Sequence, residues 1–180
     1  TAYEIKECDW SSDVCSSDLG LATVRSTTHA GAIGYYTLMA AHHDMVGIAM
    51  TSSWANMAYH GARAAGASTN PLSIAVPGGR NGPIVLDMAT GIVALGKLVQ
   101  ARKNKTPIPP GWALDKQGLP TTDPAAAHIP LPMSGAKGSG LSLMIELITS
   151  VLVANPPLSE SIEGTELGKR HRQNEIGRAH

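Results

Sequence analysis

Three stretches of this 180-residue chain carry residue types that could do chemistry. The first is centred on His29, where a β-branched run ends and a glycine-containing helix is predicted to begin. A neutral imidazole at such a junction could take a proton from a hydroxyl near physiological pH. Isolated histidines are more often packed or surface residues, so position alone favours a structural role.

The second stretch is SGAKGSG, residues 134–140. Its glycines let backbone N–H groups approach a ligand closely, and a predicted helix behind it offers a partly positive N-terminus. Lys137 adds a full charge that could bind a phosphate or a carboxylate. A flexible loop that caps a buried helix would look the same, and both interpretations stay open.

The third stretch is LDMAT, in which Asp87 ends an apolar strand. Asp87 could cap the helix that follows, or it could meet a ribose hydroxyl; in isolation, capping is the favoured interpretation.

The remaining histidines indicate no metal site. His42 and His43 are adjacent and would point to different faces of a helix. The others have no histidine three or four residues away: His60, His128 and His171.

The strands that must position these residues are short. We expect strands over residues 21–29 and 46–53, because both runs are apolar or β-branched. Two further apolar runs, PLSIAVPGG and PIVLDMAT, are joined by GGRNG, which is typical of a hairpin or another tight connection. Residues 54–70 show no clear period and are predicted to be mostly loop. The Pro-rich stretch 106–132 is too long for an ordinary connector, so it is functional or wraps the surface.

Three helices are predicted from apolar residues at helical spacing. In AGAIGYYTLMAAHHDM the expected buried face is Ile33, Tyr36, Met39 and Ala40. In GIVALGKLVQARKNK it is Ile92, Leu95 and Val99, with basic residues in the last turn, where the helix dipole favours them. The third helix, residues 141–154, is apolar nearly all round apart from Glu146 and is expected to be buried.

Strands alternating with helices favour an α/β or mixed α+β class. The template G-x-G-x-x-G between a strand and a helix, followed by an acid about 20 residues on, is absent. A Rossmann dinucleotide fold is therefore not predicted.

The two ends of the chain have an unusual relation to each other. Read as GTG TGC TCT TCC GAT CTC, the run VCSSDL at residues 14–19 gives on the antisense strand a translation identical to EIGRAH at 175–180. This pairing is typical of the flanks of a DNA sequencing adapter, so we set residues 1–19 and 175–180 aside from fold reasoning. Residues 20–174 are then the expected natural part of the sequence, taken as a piece of a longer chain.

Setting the flanks aside changes the charge and the cysteine content of the sequence. The 14 Lys+Arg and 14 Asp+Glu of the whole chain fall to 12 and 8, because the flanks hold two bases and six acids. A balance of +4 is too small to indicate nucleic-acid binding, and no run is long enough to span a membrane. Both cysteines, Cys8 and Cys15, lie in the flanks, so residues 20–174 can form no disulfide.

Seven motifs, in order along the chain, resemble the malate/L-lactate dehydrogenase family, whose NAD(P)-binding fold is not of the Rossmann type. They are TTHAGAIGYY, GIAMTSS, STNPLSIAVP, PIVLDMAT, GWALDKQGLPTTDP, GAKGSGLSLMIELITSVL and GKRHRQN. The family includes ureidoglycolate, sulfolactate and diketogulonate dehydrogenases and some cyclic-imine reductases. The resemblance implies the family's mixed α/β fold, truncated at both ends.

The resemblance also implies roles for particular residues. His29 matches the active-site histidine, which exchanges a proton with the substrate. The matching cofactor contacts are Ser53, the segment Asp87, Met88 and Ala89, and Lys137. The implied reaction transfers a hydride between NAD or NADP and C2 of a small 2-hydroxy or 2-oxo acid, in a cytoplasmic homodimer without nucleic-acid or membrane partners.

Two departures from the family pattern bear on activity. Ala30 and Ser68 stand where family members usually carry Phe and Gly. The family's Ser-His-Gly segment and a nearby arginine, expected to hold the substrate carboxylate, have no counterpart in this sequence. We therefore expect this chain to be inactive or nearly so, since an unheld substrate is misoriented. The alternatives are a cofactor- or anion-binding module without catalysis, and an interaction domain whose glycine-rich loops are only connectors.

Overall fold

The computed structural model of the protein describes residues 19–24 and 30–151, the side chain of Val151 excepted. This part contains three α-helices: α1, Gly34–Ala41; α2, Leu95–Asn104; and α3, Ala136–Val151. None of the helices described is both long enough and apolar enough to cross a membrane. The strand expected at residues 21–29 is wrong for residues 21–24, which are exposed and have no regular secondary structure, and its remainder lies outside the described residues.

Eight short strands form three antiparallel sheets, so the described part has a mixed α+β architecture. The first sheet has the order β1-β4-β5, the second pairs β2 with β3, and the third has the order β7-β6-β8. Their bounds are β1, Gly47–Met50; β2, Met57–Ala58; β3, Ala65–Ala67; β4, Leu72–Val76; β5, Ile84–Met88; β6, Ala113–Leu114; β7, Pro120–Thr121; and β8, Ile129–Pro130.

The hairpin predicted from GGRNG is confirmed. Strands β4 and β5 pair from Val76↔Ile84 at the turn to Leu72↔Met88 at the far end. A 3-10 turn, Gly79–Asn81, joins them, and Gly82 has a φ of 75°, a region that favours glycine. At Gly78 an added Cβ would stand 1.7 Å from the carbonyl oxygen of Gly82, so the turn has no room for a side chain there.

Helix α1 lies on the β1-β4-β5 sheet, but the buried face predicted for it is wrong at two positions. Tyr36 and Met39 are exposed, and the residues buried on the helix are Gly34, Thr37 and Ala41. The reason is close approach: a Cβ at Gly47 would stand 2.5 Å from the carbonyl oxygen of Thr37. Small residues permit this contact, which large apolar side chains would prevent. We call α1 with β1, β4 and β5 the sheet layer.

Helix α2 packs on the third sheet, and together they form what we call the lobe, residues 92–132. Its buried core is Val93, Leu98, Ile108, Ala113 and Ala127. The predicted face of α2 is wrong, since Leu98 is buried while Ile92, Leu95 and Val99 are exposed. The basic last turn is confirmed, and the helix ends at Lys105 in the left-handed region. The Pro-rich stretch is thus a small folded unit with its own sheet.

The segment 54–70, predicted to be mostly loop, contains the short strands β2 and β3. Met57, Ala58 and Ala67 are completely buried there. Ala58 packs with Leu114 and Ile129 of the lobe, so this segment joins the lobe to the rest of the molecule.

Helix α3 begins at Ala136, inside the glycine-rich stretch, rather than after it. The prediction that it is an apolar buried helix is confirmed at Ile145, which is 2% exposed, but is wrong for four of its other large apolar residues. Leu143, Met144, Leu147 and Ile148 are exposed, whereas Ser139, Ser142, Glu146 and Ser150 are buried. Polar contacts with neighbouring segments, described below, account for this inversion.

Candidate active site

Ser53, one of the predicted cofactor contacts, lies just after β1 and is half-buried. Its hydroxyl hydrogen-bonds with the hydroxyl of Ser68. Ser68 is completely buried, and its carbonyl oxygen accepts a hydrogen bond of 2.9 Å from the hydroxyl of Ser142 on α3. A chain of three serines therefore ties the end of β1 to α3.

The neighbouring Asn70 makes a second tie to the same helix. Its side-chain Nδ2 donates to the carbonyl oxygen of Ser142 at 2.9 Å and to the hydroxyl of Ser142 at 3.0 Å. Asn70 and Ser142 are both completely buried, which makes these bonds costly to lose. Residues 68–70 are thus fixed against the second turn of α3.

Asp87 lies near the end of β5, and its carboxylate has a partner that the sequence did not reveal. Its Oδ2 accepts a hydrogen bond of 3.0 Å from the backbone N–H of Gly34, at the start of α1. The favoured prediction, that Asp87 caps the following helix, is wrong: α2 begins at Leu95 and has no side-chain cap. A carboxylate at a helix N-terminus is favourable, so Asp87 stabilises α1 across a separation of 53 residues.

Thr90, which directly follows Met88 and Ala89, joins this segment to two others. Its N–H donates to the carbonyl oxygen of Thr69 at 2.9 Å, and its own carbonyl oxygen accepts from the N–H of Met133 at 2.9 Å. Gly91 also forms a bridge with Pro132. Thr90, the residue after the predicted cofactor segment 87–89, is therefore bonded on one side to Thr69 and on the other to Met133, just before the glycine-rich loop.

The glycine-rich loop turns the chain into α3 through two successive left-handed residues. Ser134 has a φ of 50° and Gly135 a φ of 59°. Gly138 serves the packing of the loop on itself, because a Cβ there would stand 2.0 Å from the carbonyl oxygen of Met133. Lys137 is exposed in the first turn of α3, where the helix N-terminus favours anions.

Tyr59 has the clearest electrostatic perturbation in the described residues. Partial burial raises the pKa of its hydroxyl, and the nearby Glu146 raises it further through its negative charge and through a side-chain hydrogen bond. The phenol therefore stays protonated and donates to the carboxylate.

The structure brings together the segments of all the predicted cofactor contacts that it describes. Ser53, residues 87–89 and Lys137 lie on segments joined by the hydrogen bonds above. His29 lies outside the described residues. Sequence reasoning missed the polar residues that connect these segments, although four polar residues at spacings of three and four along α3 were a usable signal: Ser139, Ser142, Glu146 and Ser150.

Two open clefts lie elsewhere, on either side of Arg102 in the lobe. One of about 580 Å³ is lined by Lys116 and His128 among others, and one of about 570 Å³ by Lys105 and Thr122 among others. Neither shares a lining residue with the predicted site. Within residues 19–24 and 30–151, no three His, Cys, Asp or Glu side chains are grouped so as to hold a metal ion.

The fold and these joined segments define an α+β domain of the kind found in non-Rossmann dehydrogenases. A dehydrogenase structure from Sinorhizobium meliloti matches with a TM-score of 0.71 and 39% identity, over 79% of this chain and 42% of that one. The delta1-piperideine-2-carboxylate reductase of Pseudomonas syringae matches with a TM-score of 0.73 and 30% identity, over 84% and 45%.

The family model described as malate/L-lactate dehydrogenase matches residues 14–180, and the chain belongs to this family. It is 42% identical over 128 residues to the ureidoglycolate dehydrogenase (NAD(+)) of Escherichia coli strain K12, covering 71% of this chain and 37% of that protein. It is 42% identical over 135 residues to the L-sulfolactate dehydrogenase of Methanocaldococcus jannaschii, covering 74% and 39%. The chain thus spans about two fifths of the length of these relatives.

Proposed function

We propose that this chain carries the cofactor-binding and proton-transfer residues of an NAD(P)-dependent dehydrogenase. The reaction would move a hydride between the cofactor and C2 of a small 2-hydroxy or 2-oxo acid. Family membership supports this proposal, and relatives are named for ureidoglycolate, sulfolactate and malate. The observation that supports the proposal most directly is the main-chain bonding of Thr90. Thr90 follows the segment 87–89 and bonds to Met133, just before the glycine-rich loop that contains Lys137.

The described residues fit a dinucleotide. Asp87 uses Oδ2 for Gly34, and within the described part of the chain its Oδ1 has no partner, which suits a ribose hydroxyl. Lys137 is exposed at the N-terminus of a 16-residue helix, which suits a phosphate. The hydroxyl of Ser53 is held in place by its hydrogen bond with Ser68, which suits a contact with the cofactor. When bound, the nicotinamide would supply the redox chemistry.

We assign the proton transfer to His29. It precedes Gly34 by five positions, and five residues span at most about 18 Å when fully extended. Because the N–H of Gly34 is bonded to Asp87, a short stretch of sequence connects His29 to the residue that holds the proposed ribose contact. His29 would accept the substrate hydroxyl proton during oxidation and return it during reduction.

The proposal includes NAD and NADP as cofactors, and hydroxy acids and cyclic imines as substrate classes. Relatives are named for NAD(+) and for NADP(+), and one matched structure is a reductase of a cyclic imine. We propose a hydroxy-acid substrate, since most of the named relatives act on one. By the same resemblance we propose that the enzyme acts in the cytoplasm as a homodimer.

Titration of the purified chain with NADH, followed by nucleotide fluorescence, tests the cofactor part. Lys137→Ala should weaken binding about tenfold, the value of one charge-assisted hydrogen bond. Lys97→Ala is the matched control, because Lys97 is also exposed in the first turn of a helix. Equal affinities for the two variants would contradict the role of Lys137.

Oxidation of NADH by 2-oxo acids tests the catalytic part separately. Any turnover should fall at least a hundredfold in His29→Ala, given the usual size of general acid–base effects. Binding without oxidation would agree with the expectation that this chain binds the cofactor but is inactive or nearly so, whereas clear turnover of NADH by the native chain would contradict that expectation.

A further inference from the structure

The buried face of α3 is mostly polar, with Ile145 as its buried large apolar residue, and its exposed face is apolar, which reverses the usual arrangement of a surface helix. Ser139, Ser142, Glu146 and Ser150 follow one another at spacings of three, four and four, and all four are at most 9% exposed. Burying hydroxyls and a carboxylate is unfavourable unless each is hydrogen-bonded. The partners of these residues therefore determine how α3 is held.

Two consecutive residues, Tyr59 and His60, hold α3 at two points. The backbone N–H of His60 donates to the hydroxyl of Ser139 at 2.7 Å. The hydroxyl of Tyr59 hydrogen-bonds with the carboxylate of Glu146. Ser139 and Glu146 are seven residues apart, about two helical turns or 10 Å along the axis. Two fixed points at that separation determine the direction of the helix as well as its position.

A third contact reaches the glycine-rich loop itself. A Cβ at Gly135 would stand 3.1 Å from Nδ1 of His60 and 3.2 Å from its Cε1, so the imidazole ring lies directly against the backbone of Gly135. Gly135 has a φ of 59° and precedes Lys137 by two positions. His60 thus contacts the chain on both sides of Lys137: its ring lies against Gly135, and its backbone N–H bonds to the hydroxyl of Ser139.

We propose that Tyr59 and His60 are positioning residues that fix the first turn of α3, and with it Lys137, for binding of the cofactor. This inference rests on the proposed function, in which Lys137 binds the cofactor. Tyr59 acts from a distance through Glu146 and the helix axis, whereas His60 acts next to the loop. Neither residue needs to touch the cofactor.

The chemistry of the Tyr59 contact suits this role. Burial and the adjacent carboxylate raise the pKa of the hydroxyl, so it remains a hydrogen-bond donor throughout the neutral range. A donor bonded to a buried carboxylate makes a stronger contact than one between two neutral groups. Glu146→Gln keeps an acceptor oxygen in place and should preserve the contact in part.

Amide hydrogen exchange at residues 136–140 tests the positioning directly and needs no cofactor. We expect these amides to exchange about tenfold faster in Ser139→Ala and in Tyr59→Phe, because the first variant removes an attachment of the first turn and the second removes the attachment at Glu146 that holds the helix axis. Ser150→Ala is the matched control: it lies on the same buried face, and its hydroxyl contacts Ser52 three turns away from Lys137. Equal exchange in Ser139→Ala and Ser150→Ala would overturn the proposal.

A double-mutant cycle with NADH connects the positioning to cofactor binding. Tyr59→Phe should weaken NADH binding about fivefold in the native background and leave it unchanged in the Lys137→Ala background. The same loss in both backgrounds would show a general destabilisation and overturn the proposal. Glu146→Gln should retain most of the native affinity, which Glu146→Leu should not.

The two experiments separate this proposal from the one on which it rests. If the native chain binds no NADH, the cofactor assignment fails, while the exchange rates still decide whether Tyr59 and His60 hold the first turn. If NADH binds and the exchange rates do not respond to Tyr59→Phe or Ser139→Ala, the positioning proposal fails alone.

Discussion

The lobe and the sheet layer are held together by different forces. The lobe buries a conventional apolar core around Leu98 and Ile108. In the sheet layer, the contact between α1 and the sheet includes the close approach of Gly47 to Thr37 and a 2.8 Å hydrogen bond between the hydroxyls of Thr37 and Ser73. Several of its large apolar residues are exposed, and Ile84 on β5 is 69% exposed.

The two regions also differ in whether they carry residues of the proposed site. The described site residues lie on the sheet layer, just after β1, or in the first turn of α3, and the lobe carries none of them. Buried apolar area supplies most of the free energy that holds a domain together. The proposed site therefore lies on the part of the molecule that depends most on polar contacts and close backbone packing.

The strongest test of the comparison removes the same side chain from both regions. Leu98→Ala, in the lobe core, should lower the free energy of unfolding by about 2–5 kcal/mol, because it leaves a cavity. Leu86→Ala, on β5 and 46% exposed, should change it by less than about 1 kcal/mol. Urea denaturation measures both. A loss at Leu86 as large as that at Leu98 would show that β5 is covered in solution.

A smaller effect is expected where the sheet layer relies on the absence of a side chain. Gly47→Ala places a Cβ 2.5 Å from the carbonyl oxygen of Thr37, so α1 must move away from β1, at a cost of about 1–3 kcal/mol. Gly96→Ala in α2 is the control, since its Cβ would meet open space. That variant should stabilise the chain by up to about 1 kcal/mol through helix propensity. Thermal unfolding that shifts equally in both would refute the close-packing account.

The smallest expected effect is a loss of stability at high pH, and it comes from Tyr59, which holds the helix that carries Lys137. The folded-state pKa of Tyr59 is raised above its ordinary value of 10.0, so the folded chain holds this proton when the unfolded chain has lost it. The resulting stability is complete below pH 10 and is lost as pH rises through the folded pKa. The free energy of unfolding should fall across this range in the native chain and fall less in Tyr59→Phe. Parallel pH curves for the two would contradict the assignment.

Local sequence patterns predicted the positions of helices and strands better than they predicted which faces are buried. The β4–β5 hairpin was predictable because GGRNG separates two apolar runs of similar length, and all three helices were found. Their buried faces were not predictable, because apolar spacing does not register close packing of small residues such as Gly34 and Thr37. The polar contacts that invert α3 likewise join residues far apart in sequence.

The site shows the same limit. Residue type and family resemblance pointed to Ser53, Asp87 and Lys137, but the sequence gives no indication that Asp87 bonds to Gly34, 53 positions earlier. Ser68 is instructive: it was noted only as a departure from the family pattern, whereas in the structure it holds the hydroxyl of Ser53. The role of His29 and the foreign origin of residues 1–19 and 175–180 stay predictions.

The bonds at Thr90 have a consequence for engineering. Thr69, Thr90 and Met133 are linked through the main chain, so no choice of side chain at any of the three removes the linkage, proline at residue 90 or 133 excepted. Grafting one of these loops from another family member therefore imports a backbone path that must match one native neighbour, or two where the loop contains Thr90. Chimeras that exchange all three loops together should retain the native geometry, and those that exchange one should not.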